Sequence, residues 1–343
     1  MKKTIFSISM LLVSLLFITS CSKDEPSSNS IFPEGDKKEL SAFDQWLYDN
    51  FTEPYNIQFL YRYYDSETNN SYNVIPSNPE KALALALLIR HVWINAYEEV
   101  VGKDFIKQYG PKIYQLLGSF EYNTNGSRVL GYAESGIKIT LFGVNLIDPD
   151  AVYINTEDPF RNPDDDPLDL NYWYFHTMHH EFFHILTQTK EYSTDFRAIS
   201  AGHYHSGDWI NLGIDESLQE GFISNYASGE YNEDIAEIYA TYVTTTPEAW
   251  EKLMTRAAVV GEDNKLDRGQ TGRMIIEQKL EMVKDYMLNT WGVDLEGLRT
   301  VVLRRSQEAP TLDLRSMDSN SEEEASDPTN EEEESSDPKN EEE

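Results

Sequence analysis

The stretch from His176 to His184 holds four of the chain's seven histidines and contains the pentapeptide His180-Glu181-Phe182-Phe183-His184. Side chains four residues apart meet only if the backbone between them is helical. The pattern therefore requires an α-helix that turns both imidazoles toward one point. Two converging imidazoles make half of a metal site. Glu181, the next residue along, is rotated by about 100° from His180 and is placed to hold a metal-bound water rather than the ion itself. Such an arrangement is the core of a zinc hydrolase. It obliges the rest of the chain to supply a third ligand and a cleft wall.

The single cysteine, Cys21, excludes an intramolecular disulfide and a cysteine zinc site, so the third ligand is a histidine or a carboxylate. One class of site needs a glycine and a histidine soon after the second motif histidine. Ile185, Leu186, Thr187, Gln188, Thr189 and Lys190 supply neither. The other class takes a glutamate from a later helix, and Tyr231-Asn232-Glu233-Asp234-Ile235-Ala236-Glu237 offers one. Asn232 reads as the helix N-cap, with Glu233 and Glu237 one turn apart on the same face. Glu233 is assigned as the third ligand to Zn²⁺, and Glu237 as the carboxylate that orients a ligand imidazole through its free N–H. Asp234 as the ligand, or two glutamates on a solvated face, are the other readings of this segment. His176 and His179 are read as supporting or packing groups. His203-Tyr204-His205 is read as an aromatic loop rather than a second metal site, and Tyr192, Tyr204 and Tyr226 are candidate donors to a transition-state oxyanion.

The motif helix is expected over about residues 170–187, with Tyr172, Phe175, His179, Phe182, Phe183 and Leu186 on a face that packs on a sheet. The Pro/Asp-rich residues 158–169 should stop the chain before it and cap it, and they carry no calcium-loop signature. Upstream, residues 40–50 read as a helix broken at Phe51-Thr52-Glu53-Pro54-Tyr55, and 57–64 as a strand. Asn78-Pro79-Glu80 reads as the capped start of a buried helix ended by Gly102, with His91 as a core histidine. Residues 129–132 and 137–144 read as strands set off by turns at 123–126 and 134–136. Residues 247–260 and 273–291 read as further helices. The fold class expected is α+β: a zincin-like domain over 39–308, its active-site helix packed on a small mixed sheet, with a helical C-terminal lobe. In such folds an edge strand can pair with a peptide substrate.

Both ends lie outside that domain. Residues 1–20 carry Lys2 and Lys3, an apolar run over 5–18 and small residues before Cys21, the layout of a signal peptide. The apolar run is too short for a comfortable membrane span. Ile18-Thr19-Ser20-Cys21 resembles a bacterial lipobox, which would make Cys21 the lipidated first residue and 21–38 its tether. Ser22-Lys23-Asp24-Glu25 is similar to the acidic signal that sends such lipoproteins to the outer face of the outer membrane. In residues 309–343, Ser326-Asp327-Pro328 recurs as Ser336-Asp337-Pro338, and Lys339 is the one base from Asp318 onward. A tail so acidic and so poor in apolar residues is expected to stay disordered. The net charge of -32, from 60 acids against 28 bases, argues against nucleic-acid binding, which rests on neutralising phosphates with Lys and Arg.

The lipobox at Cys21, Pro54-Tyr55-Asn56-Ile57, His179-His180-Glu181-Phe182-Phe183-His184-Ile185-Leu186-Thr187-Gln188, Gly221-Phe222-Ile223-Ser224 and Asn232-Glu233-Asp234-Ile235-Ala236-Glu237 together resemble one family. It is the substrate import-associated zinc metallohydrolase lipoproteins, also described as zinc-binding metallopeptidases. The similarity runs from the signal peptide to about Leu303 and leaves out the acidic tail. The resemblance implies an outer-membrane lipoprotein encoded beside a TonB-dependent importer and its surface binding partner. It also implies zinc-dependent hydrolysis of something that importer takes up. The enzyme reading is a metallopeptidase that cleaves a peptide or protein with Glu181 as base. The other reading is a non-catalytic surface subunit that captures substrate for the importer, and an intact Glu181 counts against it.

Overall fold

A computed structural model describes residues 40–69, 71–123, 128–134, 136–260 and 269–318. The signal peptide, Cys21, the tether and residues 319–343 lie outside the described residues, as does most of the turn expected at 123–126. Helix α1 (Ala42–Leu47) runs on through a wide turn to Thr52 and a last turn at Glu53–Tyr55. Pro54 does not break this run as expected. It sits at the start of the final turn, where its missing N–H is tolerated, and the chain stops instead at Asn56, which has φ 56°. The strand expected over 57–64 shrinks to β1 (Gln58–Leu60).

Asn78 caps α2 (Pro79–Leu88) by accepting from the Glu80 N–H at 2.9 Å. Its apolar residues from Ala82 to Leu88 are all buried, and a wide turn (Ile89–Ile94) leads into α3 (Asn95–Val101), which ends at Gly102 with φ 84°. His91 is buried in that turn, 3.3 Å from Glu308 and outside the metal-capable cluster. Helix α4 (Lys103–Tyr109) and strand β2 (Ile113–Leu116) were not anticipated. Strands β3 (Glu121–Tyr122) and β4 (Arg128–Val129) pair antiparallel, and β5 (Gly131–Glu134) and β6 (Lys138–Leu141) form a second hairpin.

The main sheet has the order β1-β2-β6-β5, parallel across β1, β2 and β6 and antiparallel between β6 and the edge strand β5. The Phe142 N–H donates to Leu130 O, so in this alternating register Gly131 and Ala133 turn their N–H and C=O groups away from β6. Gly131 has to be small: a Cβ there would lie 2.8 Å from Thr177 Cγ2 and 2.9 Å from Thr140 O. That close approach lays β5 along the motif helix.

The motif helix begins as a wide turn (Asn171–Phe175) and continues as α5 (His176–Thr189). Asp169 caps it through the Asn171 N–H at 2.9 Å, as expected of the acidic loop. Its apolar face differs from expectation in two ways. Phe182 packs on Trp93, Tyr97 and Phe105 from the helices, and Phe183 on Tyr239, rather than on the sheet. Tyr172, placed on that face by a regular helical period, is 42% exposed, because the wide turn shifts the register of everything before His176.

Helix α6 (Tyr231–Thr244) runs antiparallel to α5, with Glu237 beside His180, Thr241 beside His176 and Thr244 beside Asn171. Its N-cap is Glu230, two residues earlier than expected, and Asn232 instead accepts from the Tyr192 hydroxyl at 2.9 Å. Helices α7 (Pro247–Ala257), α8 (Gly272–Tyr286, extended by a wide turn to Trp291) and α9 (Leu295–Glu308) form the helical lobe, and α8 and α9 pack on α6. Packing continues past the boundary expected at 308. Ala309 and Leu314 are buried, and Trp46 Nε1 donates to Met317 O at 3.1 Å. The fold is thus α+β, with a small mixed sheet at one flank of α5 and helices elsewhere. No helix among the described residues is long and apolar enough to cross a membrane.

Candidate metal centre

His180 and His184 project from one face of α5, and Glu233 reaches them from the first turn of α6. His180 Nε2 lies 3.0 Å from His184 Nε2 and 2.9 Å from Glu233 Oε2, and His184 Nε2 lies 3.4 Å from the same oxygen. Among the described residues this is the one group of three or more His, Cys, Asp or Glu side chains close enough to share an ion.

The donor set fits zinc. Glu237 Oε1 sits 2.9 Å from His180 Nδ1, which places the imidazole proton on Nδ1 and leaves Nε2 as a lone pair. That lone pair and the Glu233 carboxylate face each other, an arrangement that repels unless a cation lies between them. Burial alone would lower the His180 imidazole. The Glu233 and Glu237 carboxylates outweigh it and raise His180 from 6.5 to about 10, so a proton is held where an ion would be. Glu237, although burial would raise it, is held down at about 2 by His176, His180 and Ser224, and Glu233 is likewise depressed by the two imidazoles.

Glu237 is fixed from its other side by Ser224, whose hydroxyl donates to Oε2 at 2.6 Å and accepts from the Ala227 N–H at 3.0 Å. Nothing local to Ser224 announces that task, because the loop that carries it reaches α6 only in the folded chain. His176 stands next in line, 3.7 Å from Glu237 and 3.3 Å from Thr241 Oγ1. His179 is fully buried and bonds through Nδ1 to the Tyr97 hydroxyl at 2.9 Å, facing away from the metal donors. Asp234, the alternative ligand, also points away. It is fully buried in an ion pair with Lys279 at 2.6 Å and accepts from Tyr204 at 2.9 Å.

Glu181 accepts from the outward-facing Ala133 N–H of β5 at 2.9 Å, which holds its carboxylate at the seam between helix and edge strand. Both His180 and Glu181 line a cleft of about 540 Å³ that extends along α5 toward its N-terminal end. Of the three tyrosines considered, Tyr192 and Tyr204 are spent on Asn232 and Asp234. Tyr226 alone lines the cleft, its ring 5.8 Å from that of His180 and steadied by Trp209 at 5.0 Å. Burial, and then the Glu233 carboxylate at its hydroxyl, push Tyr226 well up, so it stays a protonated donor. His205 pairs with Glu220 at 2.6 Å and lies outside the metal-capable cluster. His203-Tyr204-His205 is a loop, as expected, and short helices at Asp195–Ile199, Ser206–Asn211 and Ile214–Gln219 flank it.

Residues 36–296 match the model of a family described as "Putative zinc-binding metallo-peptidase". A crystal structure described in the same words, from Bacteroides caccae ATCC 43185, is 38% identical, with a TM-score of 0.63 over 84% of this chain and 100% of that one. No curated protein matches. With a family match over most of its length, this chain belongs to the zinc-binding metallopeptidase family, and zinc is its cofactor.

Proposed function

We propose that this protein is a peptidase in which His180, His184 and Glu233 hold zinc and Glu181 is the catalytic base. The observation that carries the reading is the convergence of the three donors with Glu181 placed beside them at the cleft. When bound, zinc supplies a Lewis acid that polarises a carbonyl and makes water nucleophilic near neutral pH. The protein's own groups do the rest. Glu181 takes a proton from the attacking water and passes it to the leaving nitrogen. Tyr226 donates to the developing oxyanion. Glu237, steadied by Ser224, keeps the His180 ring in one tautomer and one orientation. The edge of β5 offers the Gly131 N–H and C=O and the Ala133 C=O to an extended peptide, while the Ala133 N–H holds Glu181.

Metal analysis and peptide turnover together test this reading. About one zinc per chain is expected, lost in Glu233→Ala. Glu181→Gln should keep the zinc and lose about 10²- to 10⁴-fold in turnover. A folded protein that takes up no zinc when it is added would refute the site. Zinc uptake with full turnover in Glu181→Gln would refute the base.

We further propose that the protein is a lipoprotein anchored through Cys21 at the outer membrane, serving a TonB-dependent importer. Lys2, Lys3, the apolar run before Cys21 and the lipobox-like Ile18-Thr19-Ser20-Cys21 support the anchor. The importer rests on the family resemblance alone. Labelled palmitate should enter the parent and not Cys21→Ser, and co-purification with an importer would support the association.

A further inference from the structure

Residues 223–226 line the cleft and carry both Ser224 and Tyr226 toward the metal donors. Residues 223–225 belong to no helix or strand, so their place has to be fixed from outside. We infer that the buried ion pair of Lys279 and Asp234 is the device that positions this wall, so that zinc affinity and turnover depend on the pair through Ser224 and Tyr226. The inference rests on the zinc-peptidase reading above.

Lys279 stands on α8 and Asp234 on α6, beside the ligand Glu233, and both side chains are fully buried. The Lys279 ammonium lies 2.6 Å from Asp234 Oδ2, donates to Gly221 O at 2.8 Å and sits 4.3 Å from the centre of the Phe222 ring. It thus grips the chain just before residue 223 with a charge-assisted hydrogen bond and a cation–π contact. Asp234 Oδ2 also accepts from the Tyr204 hydroxyl at 2.9 Å, and the Tyr204 ring packs 5.3 Å from that of Phe222. At two points the chain comes too close to α8 for a side chain. A Cβ at Gly272 would lie 1.9 Å from Leu218 O, and one at Gly221, where φ is 89°, would lie 2.5 Å from Ile275 Cγ2. From this anchored turn the chain runs directly to Ser224, which holds Glu237, and to Tyr226, which faces His180.

Stability alone does not call for such a pair. The cost of taking two charges out of water offsets most of their attraction, and apolar residues of similar volume often serve stability as well or better. What apolar residues lack is direction. A methionine in place of Lys279 would fill the space but give Gly221 O no donor and Phe222 no cation, and the turn at Gly221 could then settle in more than one place. Ser224 and Tyr226 would move with it. Fixing register is the use for which buried ionic groups are best attested.

The test sets stability against function in the doubly substituted, uncharged variant Lys279→Met/Asp234→Asn, whose Asn keeps an acceptor for Tyr204. Metal-free, it should melt near the parent's temperature. It should nevertheless bind zinc about tenfold more weakly in competition with a chelator, and lose about tenfold or more in kcat on a peptide with KM little changed. Parental zinc affinity and kcat in the folded variant would overturn the positioning role. The losses should also be shared. Added to Ser224→Ala, the double substitution should cost less than about twofold more in zinc affinity, and added to Tyr226→Phe, less than about twofold more in kcat. Losses that multiply in full would overturn the proposal too. Gly221→Ala displaces the same turn with the ion pair intact, and it decides if the uncharged variant does not fold. It should show the same shared losses, and parental zinc affinity would overturn the proposal. Zinc affinity is read without turnover, so a parent protein that cuts no peptide fails the peptidase reading alone, and the comparison with Ser224→Ala still decides the positioning role.

Discussion

Replacing Glu237 with alanine removes the group that fixes the first metal imidazole without touching a zinc donor. Glu237 is 7% exposed, receives His180 Nδ1 at 2.9 Å and is itself held by the Ser224 hydroxyl at 2.6 Å. With the carboxylate gone, the His180 ring can rotate and its Nδ1 proton is no longer held in place. Loss of such an orienting partner costs about 10- to 100-fold in metal affinity, about 1.4–2.8 kcal/mol. Here the upper part of that range is expected, because His180 is one of only three donors. Glu237→Gln keeps the volume and can still accept from Nδ1 but loses the charge, so a loss of roughly tenfold is expected. Competition for zinc against a chromophoric chelator near neutral pH measures both, and thermal melting of the metal-free proteins reports on folding. An affinity unchanged from the parent in Glu237→Ala would refute the orienting role. A loss equal to that of Glu233→Ala would show Glu237 to be a donor in its own right.

Tyr226→Phe should retain zinc and lower kcat by about 10²- to 10³-fold with little change in KM; an unaltered kcat would remove Tyr226 from the reaction. Lys279→Met leaves Asp234 fully buried with no cation and should cost about 3–5 kcal/mol in denaturant unfolding. A near-neutral result would mean that Asp234 takes up a proton instead. The metal-free cluster carries its own pH signature. His180, raised to about 10, contributes stability that is complete below its ordinary 6.5 and is lost as pH rises through about 10. Glu237, lowered to about 2, contributes stability present above its ordinary 4.5 and lost as pH falls through about 2. The difference in melting temperature between parent and His180→Ala, both metal-free, should therefore shrink at the alkaline end. Zinc has to displace the His180 proton, so its affinity should fall as pH falls.

The sequence by itself determined the groups that local geometry controls. His180, His184 and Glu181 follow from one helical turn, because a spacing of four on an α-helix leaves the imidazoles no other relative position. The Glu233/Glu237 spacing and the Asn78-Pro79 helix start were legible for the same reason. Asn232 was misread as a cap because Glu230 and Asn232 both precede the apolar period, and the Tyr192 hydroxyl claims Asn232. The wide turns at Ile89–Ile94 and Asn171–Phe175 carry no residue signature and shift faces that a regular period assigns, which is why Tyr172 lies in the cleft.

The tertiary structure alone decided which groups meet across long stretches of chain. The antiparallel packing of α6 on α5 turned Glu237 from a surface-like glutamate into the partner of His180, and it buried Asp234 on Lys279. A loop brought Ser224 to Glu237, and the small side of Gly131 let an edge strand come close enough to hold Glu181. Among three tyrosines of equal standing in the sequence, packing spent two and left Tyr226 facing the metal donors. Local pattern sets which direction a side chain leaves its own helix. What it meets there depends on the loops and packing that place the other elements, and those contacts are written nowhere in the neighbourhood of the residue itself.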